Sequence, residues 1–320
     1  MIRESRTLAS LGVSVEGSTV RIGESSDNDT DLQVSLELVS LDVDNSLPDA
    51  AHEQDLLAQA VVLVARLLLG QAHRDKLRKR SEIPPPLSDK QKDERPILPI
   101  LRPIMSLLLH HSALSSLHGY VSTMDSILLS AKVDHDVSHA TLALPRHQEI
   151  TDTDTLVTTT LLRPLNATAS LTIHSAENTA KSRATTIDIT LETSLAQAFG
   201  PVYTLKSNEN EDQQTHTFPD FASLAPAADT AVSSILAKTL QQVVPGKWQY
   251  NPGYATLEKD TGVGRAKKLL WTDYSSAESR LKLVSSDVKS SKKCIWTVDG
   301  AEGGESNSGL WAAAKMYAES

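Results

Sequence analysis

Cysteine is nearly missing: Cys294 stands alone among 320 residues. One thiol cannot close an internal disulfide, and such usage fits a reducing compartment. Aromatics are scarce at 4%, and all four tryptophans, Trp248, Trp271, Trp296 and Trp311, fall in the last quarter. Large aromatics are usually buried, so that quarter is expected to own an aromatic core, the alternative being an aromatic contact surface. Positive charge is not in excess; the formal net charge of −9 excludes a global basic field that would gather nucleic acid. Long apolar runs are absent as well. Val61–Leu69 is interrupted by Arg66, so no membrane-spanning helix is expected. The opening MIRESRTLAS has no apolar stretch and is not a signal peptide.

Catalytic motifs are equally thin. Thr261-Gly-Val-Gly264 lacks the third glycine and the preceding strand of a phosphate-binding loop, and reads as a turn. No Gly-x-Ser-x-Gly elbow exists, and Cys294 has no nucleophile signature around it, so it reads as a structural strand residue. His135 and His139, with Asp134 and Asp136 beside them, could hold a metal if they shared a helix face. They lie where the helical pattern ends, which argues against a shared face. His110 and His111 are adjacent and point apart. Asp152 and Asp154 alternate with threonines and read as polar loop. No cofactor or metal is expected.

What is there is surface for packing. IRESRTLASLG reads as the end of a helix stopped by Gly12, with no N-cap before it, as in a piece of a longer chain. Val13–Glu16 and Thr19–Ile22 read as a hairpin, and Asp31–Leu41 as a half-buried strand. A helix is expected over Leu47–Lys79, where Leu56, Ala60, Leu63, Val64, Leu67 and Leu68 repeat at helical spacing, ending in the basic run His73–Arg80. That run is a solvated helix end, or else a contact for an acidic partner or nucleic acid. Ser81–Glu94 holds three consecutive prolines and reads as a linker.

The long apolar tract Pro96–Val133 is expected to be helical from near Leu101, delayed by Pro99 and Pro103. A second helix is expected over Ala113–Lys132 after a turn or polar stripe at His110-His111-Ser112. From His139 the period becomes two. Ala140–Leu144, Leu156–Leu162, Ala167–Ile173, Ile187–Glu192 and Phe199–Leu205 read as strands of one antiparallel sheet with one face buried. Gln213–Thr217 reads as polar loop and Phe221–Val244 as a helix. Short strands follow around Trp248, Leu269–Trp271, Leu281–Val284 and Cys294–Val298. Gly300–Gly309 reads as a flexible break, and Leu310–Ala318 as a last helix.

Three stretches together, IRESRTLASLGVSVEG, PILRPIMSLLLHHSALSSLHGYVSTMDSILLSAKV and the strand FGPVYTL, resemble the family of subunit 17 of the Mediator of RNA polymerase II transcription, in its fungal form. The resemblance is to the family's C-terminal part and is expected to cover nearly the whole chain. It implies a nuclear scaffold of the Mediator head module, a coactivator without catalytic residues or cofactors. It also implies head subunits 6, 8, 11, 18, 20 and 22 and RNA polymerase II as partners, with no direct nucleic acid and no membrane.

The resulting expectation is an α+β fold, with long helices packed against an antiparallel β-sheet and room for two subdomains. Residues 1–134 would be mainly helical, with a flexible linker near 81–95. Residues 135–320 would be β-rich, with a helix near 221–244. Its work would be binding, because the apolar helix faces exceed what the sheet can cover. The expected partner-contact residues are Arg74, Lys76, Arg78, Lys79 and Arg80 at the basic helix end. Leu108, His111, Leu117, Tyr120 and Met124 on the Pro96–Val133 tract complete the set. An unrelated intracellular interaction scaffold, or a hydrolase with an unrecognised site, is the alternative.

Overall fold

The computed structural model describes residues 2–17, 19–22, 34–37, 53–81, 99–141, 161–174, 185–195, 199–208, 214–260, 267–286, 291–302 and 309–319. Helices and three β-sheets make the expected α+β fold. Contacts divide the chain into two compact units. The first comprises Met1–Ser112, Ala143–Leu165 and Thr193–Gly200, and the second Ala113–Leu142, Asn166–Glu192 and Pro201–Ser320. The division falls between Ser112 and Ala113, and two later segments return to the first unit.

In the first unit, helix α1 (Ile2–Thr7) passes through a 3₁₀ turn (Ala9–Leu11) to Gly12. Gly12 takes a left-handed φ of 75° and its N–H donates to the Ala9 carbonyl, the chain-stopping role its sequence position suggested. Strands β1 (Val13–Glu16) and β2 (Thr19–Ile22) pair Val15 with Val20, confirming the hairpin; β3 (Val34–Glu37) adds to its edge. Helix α2 (Glu53–Ser81) follows, then the start of helix α3 (Leu101–Ser130). Leu8, Val13, Val20, Ile22, Val61, Leu101, Ile104, Met105 and Leu108 form one apolar core, and Leu68 and Ile100 a smaller one beside Leu161 and Leu162.

The α3 start is fixed from a distance. Glu4 on α1 reaches over so that the N–H groups of Ile100 and Arg102 donate to its two carboxylate oxygens at 2.9 and 2.8 Å. Free N–H groups at a helix start need acceptors, and a carboxylate also suits the positive end of the macrodipole. Pro99 stays outside the helix and Pro103 sits in its first turn, where a missing N–H is tolerated.

The second unit has two sheets. Strands β4 (His135–Thr141), β5 (Leu165–Ile173), β6 (Thr185–Ser194), β7 (Gly200–Ser207) and β8 (Gln214–Phe218) lie in chain order. Strict alternation puts Ala167, Ala169, Leu171, Ile173, Ile187, Ile189, Leu191, Tyr203 and Leu205 inside. Helix α4 (Phe221–Val243) is N-capped by Asp220, whose side chain accepts from the Ser223 N–H at 2.7 Å. The second sheet is a six-stranded meander of β9 (Gln249–Asn251), β10 (Thr256–Asp260), β11 (Lys267–Ser275), β12 (Arg280–Ser286), β13 (Ser291–Thr297) and β14 (Gly300–Glu302). Helix α5 (Leu310–Glu319) buries Leu310, Ala313, Ala314 and Tyr317. Of the four tryptophans that the aromatic-core reading concerned, Trp248 and Trp296 are buried while Trp271 and Trp311 are half-buried.

Several boundaries differ from the sequence reading. The helix does not turn at His110-His111-Ser112; α3 is continuous, because His110 is buried and its Nδ1 lies 3.0 Å from the Thr193 hydroxyl. Strand β4 begins at His135 rather than Ala140, β8 replaces the expected polar loop, β10 was unforeseen, and β14 begins inside the expected break. Leu161 and Leu162 are not in a strand. The linker beyond Ser81, Asp152, Asp154, and Thr261–Gly264 lie outside the described residues.

Candidate interaction surfaces

Helix α3 turns its apolar stripe inward. Leu108 is 6% exposed in the first unit's core. Leu117, Tyr120 and Met124 are 2, 6 and 3% exposed, all in the core of the second. These four expected contact residues are therefore not surface: long-range strand and helix neighbours already cover them. Only His111 of that group is exposed.

Tyr120 joins a polar network centred on Asp229. Its hydroxyl donates to Asp229 on α4 at 3.0 Å, and the same carboxylate accepts from the backbone N–H and the hydroxyl of Ser276, each at 2.9 Å. Burial raises the Asp229 carboxyl above its ordinary range, outweighing the lowering effect of those bonds. The Tyr120 phenol is pushed well up by burial and by the neighbouring Asp229 charge. Nearby, Thr272 donates to the Ser233 carbonyl and the Tyr274 N–H to the Ser233 hydroxyl, tying α4 to β11. An apolar crevice of about 10 Å³ borders Tyr120, Met124 and Ile189, with room for about one water and no small-molecule substrate. The network holds α3, α4 and the turn at Ser276 together.

The histidines separate. The buried His135 side chain places Nδ1 2.9 Å from the Val133 carbonyl oxygen and Nε2 2.9 Å from Asp125. His139 packs its ring 5.2 Å from that of His118. His174 pairs with Asp136 at 2.9 Å. Among the described residues no three His, Cys, Asp or Glu side chains gather as metal ligands. Cys294 is buried on β13, 3.0 Å from the Tyr317 hydroxyl, the structural position its surroundings suggested.

Helix α2 presents the larger surface. Arg74, Lys76, Arg78 and Arg80 are exposed at its end, and Lys79 lies in the same turn of backbone. Gln71 is buried and accepts from Arg74 at 2.6 Å. Inward, the helix buries Val61 and Leu68, not Leu56 and Leu63 as the repeat suggested. Those two are 71 and 58% exposed, and Val62, Leu69 and Leu77 are exposed beside them. Leu56–Arg78 is, by length and composition, apolar enough to cross a membrane, contrary to the expectation from the interrupted run. Apolar residues on both faces produce that reading; one face packs in the first unit's cores.

Residues 1–128 match a family model described as subunit 17 of Mediator complex. The chain is 38% identical to the Mediator of RNA polymerase II transcription subunit 17 of Emericella nidulans over 138 residues, 42% of this chain and 21% of that protein. It is 31% identical over 190 residues to that of Aspergillus terreus, covering 58% of this chain and 29% of that one. The subunit of Aspergillus oryzae is 32% identical over 138 residues, 42% and 21% of the two chains. The resemblance read from the sequence is thus borne out. Each match covers part of this chain rather than nearly all of it, and the chain spans about a fifth to three tenths of these relatives' length.

Proposed function

We propose that the chain is a portion of a fungal Mediator subunit 17, working in regulation of RNA polymerase II transcription through protein–protein contacts. The observation that carries this is the family match over residues 1–128, which takes in α1, the hairpin, α2 and nearly all of α3. The shape of the sites supports a binding role. Polar side chains are spent on joining elements, while α2 shows an apolar and basic face to solvent. On this reading the protein is a non-catalytic scaffold of the head module, resident in the nucleus, associating with head subunits 6, 8, 11, 18, 20 and 22 and with RNA polymerase II. Arg74, Lys76, Arg78, Arg80 and His111 are the contact residues that remain accessible to such partners.

The test is affinity purification of the tagged full-length protein from its own cells. Mediator subunits and RNA polymerase II are expected in near-stoichiometric amounts. Recovery free of both would overturn the proposal.

A further inference from the structure

Four residues of α2, Leu56, Leu63, Gly70 and Leu77, recur every seven positions, with Val62 and Leu69 alongside. At 1.5 Å per residue this stripe is about 30 Å long, and its five apolar side chains are exposed. A seven-residue recurrence keeps these positions on one face of the helix, so together they form one exposed apolar stripe. Gly70 adds an independent sign. It lies inside a helix with ordinary backbone, and a side chain built there would meet nothing within 4 Å. Glycine weakens a helix interior, and this fold gains nothing from it. A glycine on an exposed seam instead lets a second helix approach closely.

Charge then chooses the occupant. The exposed Arg74, Lys76, Arg78 and Arg80 flank the seam's end, with Asp75 the acidic residue in that turn, while Arg66 stands at the seam's midpoint between exposed Gln59 and His73. A second copy docked across a two-fold axis would bring Arg66 against Arg66. A lipid interior would receive Arg66, Gln59 and His73 in the middle of its apolar contact. We propose that this face docks one amphipathic helix of another protein, antiparallel to α2, with carboxylates in its first turn and at its midpoint. In that direction the partner's first turn, where its own dipole favours carboxylates, meets the basic end of α2. The inference rests on the reading of the chain as an interaction subunit and names the class of segment it holds.

The test places a photoreactive benzoylphenylalanine at Leu63 or Leu77 in the full-length protein, followed by mapping of the cross-linked peptides. Both positions should label one acidic amphipathic segment of another protein, Leu77 nearer its N-terminus than Leu63. Gly70→Leu should raise the melting temperature of the chain alone and weaken recovery of that segment at least tenfold. Labelling of lipid, of this chain or of a non-acidic segment overturns the inference, as does absence of labelling or undiminished recovery with Gly70→Leu. Purification with Mediator but no such label sinks this inference alone. A labelled acidic helix in a protein outside Mediator sinks the functional reading alone.

Discussion

The Tyr120 hydroxyl lies 3.0 Å from Asp229 Oδ1, joining α3 to α4 through a carboxylate that Ser276 holds from a third direction. Tyr120→Phe removes one donor from a half-buried acceptor and is expected to cost about 1–3 kcal/mol, read as a lower urea midpoint. The pH dependence has a definite sign. Burial raises the native Asp229 pKa above its ordinary 3.8, so the folded state holds the proton more tightly than the unfolded chain. Its contribution is greatest below that ordinary value and declines as pH climbs through the raised one. Asp229→Asn should flatten that decline as pH rises above 3.8; an unchanged slope would remove Asp229 as its source.

His110 works in the opposite direction. Burial first, and then the neighbouring His111, lower its pKa below 6.5, so the folded state favours the neutral ring. Stability from this group is present above 6.5 and is lost as pH falls through the depressed value. His110→Phe should diminish the loss of stability on acidification, measured as the midpoint difference from the parent at each pH. Thr193→Val, which leaves Nδ1 without its 3.0 Å partner, should cost about 1–3 kcal/mol at neutral pH.

Glu4→Ala strips both acceptors from the α3 start. Hydrogen bonds to charged groups contribute about 1.5–3 kcal/mol each, and part is recovered by water, so a net loss of about 2 kcal/mol is expected. Glu4→Gln keeps one oxygen acceptor and should lose less. Equal losses in chemical denaturation would show that charge, not acceptor count, sets the cap.

Gly309 precedes α5 with φ +80°, and a Cβ there would stand 3.1 Å from Lys132 Cβ and 3.3 Å from the Ala131 carbonyl oxygen. The Leu310 N–H donates to that same carbonyl at 2.8 Å. Gly309→Ala is expected to cost about 1–3 kcal/mol through strain and a displaced α5. Thermal unfolding followed by tryptophan fluorescence checks it; an unchanged midpoint would mean that the backbone yields freely.

Local chemistry made much of the fold readable in advance. Gly12, the Val13–Ile22 hairpin, and the alternation through Ala167–Ile173 and Ile187–Leu191 each follow from neighbours in the chain. Strands β8 and β10 escaped because they carry threonine, glutamine, glutamate and lysine, and owe their place to pairing with β7 and β11. The burial of candidate contacts on α3 was unreadable for a related reason. Periodicity shows that Leu117, Tyr120 and Met124 share a face, but not that distant strands cover it. On α2 the ambiguity is sharper, since leucines occupy both faces and only tertiary packing selects Val61 and Leu68 for burial. Nothing near Glu4 in sequence announces a partner 96 residues away.

Cys294, walled in on β13 beside Tyr317, gives the protein a native clock. A thiol reagent can reach it only when α5 lifts or the sheet opens, so the labelling rate of this lone cysteine times the openings of that region. Because no second thiol competes, each modification is one recorded excursion. Slowing of that clock on addition of a partner would place the stabilised region without any label introduced by design.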